Sequence, residues 1–177
     1  MSAALLFLAM IGSTAPVKPT AELLTVENLD CVSRKIAPGR AQVYFTMARK
    51  GNEKEAFQSA QSVVKACQNE HGWSDDQTRS AFRVSIMDGW LLQDRLIEKI
   101  EYLGDFKPFL DEYYIENVSS TGRHILEDVF LSGKMDADLT AAGYPENKEA
   151  RELAYNYWEW RGALWDIEIN FRDGSSR

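Results

Sequence analysis

Eleven residues, CQNEHGWSDDQ at 67–77, bring together a thiol, an imidazole, an indole and two adjacent carboxylates. These are the side chains of metal sites and of acid–base catalysis, and His71 is one of only 2 histidines in the chain. The other, His124, precedes Glu127 and Asp128 by three and four positions. That spacing sets an imidazole beside a carboxylate on one helix face, a pair able to move a proton near neutral pH. A third cluster, DADLT at 136–140, has the alternating aspartates of a calcium loop. The most unusual is YNYWEWRGALW at 155–165, which holds three of the 5 tryptophans, two tyrosines and Arg161.

Each cluster also has a quieter explanation in the elements that carry it. Ala56, Phe57, Ala60, Val63, Val64 and Cys67 form a helical stripe, opened by Asn52 as N-cap with Glu55 completing a capping box. The stripe stops at Cys67, and Gly72 stands where a helix turns left-handed at its end. Ser74 and Gln77 then have the spacing of a second capping box, with Asp75 and Asp76 in the first turn, where the helix dipole favours negative charge. Trp73 falls between the two helices, and His71 falls at a C-terminus that favours a cation. The stretch 71–77 therefore reads as a joint between helices, with no metal site assigned.

DADLT places Ala141 where a calcium loop requires glycine and Asn147 where it requires glutamate. A capped helix start accounts for it better. The His124 pair is most simply a solvated helix contact, worth a few tenths of a kcal/mol. The tryptophan-rich segment is helical in pattern, with an apolar arc over about half its circumference and Arg161 inside that arc. Tyr157 and Trp158 lie one turn before Arg161 and Trp165 one turn after. If aromatic bulk fills a core here, Arg161 must meet a carboxylate or reach the rim. If it does not, Arg161, Tyr157, Trp158 and Trp165 form a ligand site for a small anion, or an aromatic face for a protein partner.

The rest of the chain supplies helices to hold these clusters. TVENLDCVSRKI reads as a short helix, and RAQVYFTMARK as a longer one entered through Pro38-Gly39 and closed by Gly51. From Asp75 the pattern runs on to Leu103, a single rod of roughly 42 Å. Gly89 on its main stripe signals a close helix crossing. Residues 108–131 read as one helix or as two joined at Ser119–Gly122. A short helix over DADLTAA follows, and Pro145 opens the last helix as its first residue. The expectation is an all-α single-domain bundle of five to seven helices.

Ala3 to Gly12 is an apolar run of about ten residues followed by small side chains, the pattern of a signal peptide and too short to span a bilayer. Cleavage is expected after Ala15 or as late as Ala21, leaving residues 22–177 as one helical domain in the periplasm or outside the cell. Cys31 and Cys67 are the only 2 cysteines, an even number that in an exported chain implies one disulfide. The net charge of −7 argues against binding nucleic acid or anionic lipid. No nucleophile elbow, phosphate loop or zinc motif occurs, and the sequence implies no cofactor. The function expected is a non-catalytic binding or interaction protein. The alternatives are an extracytoplasmic, hydrolase-like enzyme using His124 with Glu127 or Asp128, and a structural homodimer formed through the tryptophan-rich helix.

Overall fold

The computed structural model describes residues 26–104, 106–118 and 132–174, with backbone only at 97 and 114–118. The signal-peptide segment, the Ser119–Gly122 junction, and His124 with Glu127 and Asp128 lie outside the described residues. Within them the chain is all-α, with nine α-helices and no strand. The helices are α1 (Cys31–Lys35), α2 (Pro38–Arg49), α3 (Glu53–Ser59), α4 (Gln61–His71), α5 (Asp75–Gln93), α6 (Leu96–Ile100), α7 (Phe106–Val118), α8 (Lys134–Ala141) and α9 (Lys148–Asp173). A 3-10 turn, Glu101–Leu103, extends α6. None of the described helices is long and apolar enough to cross a membrane.

Helix α5 is the central element, packed against α2, α9 and α1. Its sequence carries two apolar stripes, and burial follows both: Phe82, Val84, Ile86, Met87 and Leu91 are all buried. The expected close crossing is there. A Cβ at Gly89 would lie 2.1 Å from the Ala41 carbonyl oxygen and 2.9 Å from Phe45 Cβ, so the α2 backbone rests directly on α5. The Cys31–Cys67 disulfide ties α1 to α4, with Cα atoms 6.1 Å apart, a separation within the ordinary range for a bridge.

The described residues alone hold nine helices where five to seven were expected for the chain, because two stripes that look continuous are broken. The rod expected over 75–103 ends at Gln93, and Arg95 takes the left-handed conformation at φ 52° before α6 begins. Arg95 Nε donates to Glu98 at 2.9 Å across this turn. A straight helix would carry its last turns away from the core, whereas the turn returns Leu96 and Leu103 to it, 2% and 1% exposed. The stripe at 53–71 breaks at Ala60, where the Ser59 hydroxyl donates to the Ala56 carbonyl at 2.8 Å and competes with the helical amide for that acceptor.

Three helix starts also differ from expectation. Asn52 stands at the N-cap of α3 but makes no side-chain cap bond, because its backbone (φ −99°, ψ 36°) is not the extended form that capping needs. Helix α8 begins at Lys134, two residues before DADLT. Helix α9 is started by Asn147, whose side-chain oxygen accepts the Ala150 amide at 2.9 Å, so Pro145 precedes the helix.

Candidate functional site

The joint at 71–77 has the geometry its sequence implies. Gly72 is left-handed at φ 66° and ends α4. Ser74 Oγ accepts the Gln77 amide at 3.1 Å, and the Gln77 side-chain oxygen accepts the Ser74 amide at 3.0 Å. Trp73 packs edge-on against Phe171 of α9, ring centres 5.3 Å apart, and His71 lies over Trp73 at 4.9 Å. Of the eye-catching side chains here, the aspartates begin a helix and the indole fills the junction.

The aspartates of DADLT serve the packing of α8. Arg151 of α9 donates to the Asp136 carbonyl at 3.2 Å and to the Thr140 hydroxyl at 2.7 Å. Asp138 accepts from Tyr113 at 2.8 Å and from Lys134 at 2.7 Å. Burial, with the Asp136 carboxylate beside it, pushes the Tyr155 phenol up to about 12.

Helix α9 carries the aromatic cluster, and most of it is core. Tyr157, Trp158, Trp160 and Leu164 are each 0% exposed, and Trp165 is half-buried. Asp111, contributed by α7, gathers the polar groups of this cluster. It accepts the Tyr157 hydroxyl at 2.7 Å and Lys107 at 3.3 Å, and the Arg161 Nε lies 3.6 Å from the same carboxylate. Burial, joined by the hydrogen bond to Asp111, pushes the Tyr157 phenol far above its ordinary range. Arg161 thus has an internal carboxylate, although its Nη1 is buried without a hydrogen bond among the described residues. Tyr157, Trp158, Trp165 and Arg161 do share one helix, but two of these four are closed off from solvent.

A cleft of about 870 Å³ lies elsewhere, between the α5–α6 turn and the start of α9. Trp90, Leu96, Tyr102, Phe106, Tyr144 and Leu153 give it apolar and aromatic walls. Asp94, Glu149 and Glu152 stand in its lining against a single ammonium, Lys99. Several of its walls are fixed in place. Trp90 stacks on Phe45 with ring centres 5.9 Å apart, and its indole N–H donates to Asp94 at 2.7 Å. Tyr144 stands edge-on to Phe106 at 4.8 Å, and its hydroxyl donates to the Ala150 carbonyl at 3.0 Å. Tyr102 is 84% exposed, an aromatic side chain left at the surface beside an open cleft.

Sequence reasoning did not find this site because its walls come from two separated stretches, 90–106 and 144–156, and the first lines the cleft only through the turn at Arg95. The one local signal was the polar run Gln93-Asp94-Arg95, which interrupts the apolar stripe where the helix breaks. No protein-family model matches this chain, and no curated protein or solved structure is detectably similar to it.

Proposed function

We propose that this chain is an exported, non-catalytic binding protein, and that its ligand is an apolar or aromatic molecule carrying a positive charge, held in the cleft between the α5–α6 turn and α9. The observation that carries the reading is the pairing of aromatic walls with an excess of carboxylates, Asp94, Glu149 and Glu152 against Lys99. The volume suits a small molecule. A cation over an aromatic face gains about 0.5–2 kcal/mol, and the carboxylates disfavour an anion in the same place. The buried Cys31–Cys67 bridge supports export, since such bridges persist in oxidising compartments. Mass spectrometry of the natural product should then find a chain beginning after Ala15 or near Ala21.

Titration calorimetry with three probes of similar shape tests the ligand class: benzyltrimethylammonium, its neutral carbon isostere, and benzoate. The cation should bind about tenfold tighter than the neutral probe, a difference of about 1.4 kcal/mol. That preference should shrink in Glu149→Gln and with added salt. If benzoate binds best, and Arg161→Gln abolishes its binding, the anion site on α9 is the correct one and the cleft is not.

A further inference from the structure

At the end of α4, where the bridge ties it to α1, lies a set of donors of the kinds that hold metals. A sulfur of Cys31, a carboxylate oxygen of Glu70 and a ring nitrogen of His71 all lie within 4.8 Å of one another. Cys67 adds a second sulfur, bonded to Cys31 and placed one helical turn before His71 on α4. Both sulfurs are buried, at 2% and 0% exposure. The His71 Nε2 is also buried and has no hydrogen-bond partner among the described residues, with Glu70 Oε1 3.8 Å away. Such a ring nitrogen is poorly satisfied as it stands.

While the sulfurs are bonded to each other, neither is a metal ligand of any strength, because the donor is the thiolate. We propose that reduction of Cys31–Cys67 uncovers a four-donor site for Zn(II), made of the two thiolates, His71 Nε2 and the Glu70 carboxylate. Two thiolates, an imidazole and a carboxylate are within the donor set zinc accepts, in tetrahedral geometry with bonds of about 2.0–2.3 Å. Donors around such an ion lie about 3.3–3.8 Å apart, so the Cys31, Glu70 and His71 donors must close in by about 1 Å, while the two sulfurs must move apart. Glu70 can do so. It sits in the last turn of α4, exposed, and need only leave Lys35. The 6.1 Å between the Cys31 and Cys67 α-carbons lets the sulfurs separate without moving the helices far.

A dithiol or phosphine reductant supplies two electrons and solvent two protons, and with a phosphine the same water supplies the oxygen of the oxide. The S–S bond breaks, two S–H bonds form, and the reductant leaves as its disulfide or phosphine oxide. Binding of Zn(II) then releases both thiol protons to solvent as two Zn–S bonds form. The bridge and the ion are mutually exclusive, so an occupied site would hold α1 to α4 in the reduced chain as the bridge does in the oxidised one.

The test titrates the full-length chain with Co(II) and then Zn(II), without oxygen, before and after reduction with a phosphine, while helical circular dichroism is followed. Expected in the reduced chain are one Co(II) per molecule with a thiolate-to-cobalt charge-transfer band, displacement by Zn(II), and about tenfold or greater weakening in His71→Ala. The oxidised chain should give no such band. If reduction alone lowers the helical signal, Zn(II) should restore it in the wild type and fail to do so in His71→Ala. Absence of the band in the reduced chain, unchanged affinity in His71→Ala, or helical signal lost on reduction and not restored by Zn(II) would each overturn the proposal.

Discussion

The joint at 71–77 and the aromatic helix at 155–165 attract notice for the same reason, a concentration of side chains capable of chemistry, yet they are decided by different physics. At the joint the deciding contacts are three residues apart: Ser74 with Gln77, ahead of a left-handed Gly72. On α9 the deciding contact is Asp111, 46 residues from Tyr157 in the chain. Cap chemistry is written in consecutive residues and can be read there. Whether an arginine among aromatic rings is paired or waiting for a ligand depends on which carboxylate another helix brings to it.

The largest expected effect tests how far the joint depends on its staple. A loop of 36 residues closed by Cys31–Cys67 is worth about 3–4 kcal/mol in the loop-entropy description. Reduction in metal-free buffer should therefore lower the melting temperature by about 10 °C, as read by circular dichroism. Gly89→Ala comes next. It replaces nothing chemical but forces a methyl into the Ala41 carbonyl, and should cost about 2–3 kcal/mol even after the better helix propensity of alanine.

Arg161→Gln sharpens the contrast most, because it removes a long-range partner from α9. A fully buried pair broken on one side costs about 3–5 kcal/mol and an exposed one about 1 or less. Asp111 is 27% exposed and keeps Tyr157 and Lys107 as donors, so denaturant unfolding should give about 2 kcal/mol. At the joint, Ser74→Ala should cost about 1 kcal/mol through the lost cap. In the oxidised chain His71→Ala should cost about 0.5 kcal/mol or less.

The tyrosines of α9 and its neighbours make a separate prediction for alkaline pH. Tyr157, Tyr155, Tyr144 and Tyr113 all have phenols pushed upward, burial being the largest cause in each. A phenol in the unfolded chain ionises at about pH 10. The native state holds its protons longer, so this contribution is complete below that pH and is lost as pH rises above it. Phenolate absorbance from these residues should appear together with loss of helical signal. Phenolate absorbance that precedes any unfolding would mean that the rings are more accessible than their burial implies.

The all-α class, the disulfide, the close crossing at Gly89 and the whole joint were legible because each rests on periodicity, residue type or cap spacing. The helix breaks at Ala60 and Arg95 were not. At Ala60 the apolar stripe continues across the break; at Arg95 a short polar run interrupts it without showing that the chain turns, and what favours that turn is the return of Leu96 and Leu103 to the core, a tertiary gain. The cleft was lost with the break at Arg95, since Trp90, Tyr102 and Tyr144 share a wall only once the chain has turned there. Asn52 shows the converse error, a capping residue in the right place whose backbone does not let it cap.

The central claim, that ligand enters the cleft and leaves the α9 cluster undisturbed, is tested most directly by the five tryptophan indole N–H resonances in a two-dimensional nitrogen–proton spectrum. Trp90→Phe and Trp160→Phe assign the two that matter. On titration with benzyltrimethylammonium, the Trp90 resonance should move to saturation while that of Trp160, 0% exposed on α9, stays in place. Movement of Trp160 with Trp90 unmoved, abolished by Arg161→Gln, would contradict the account and return the site to α9.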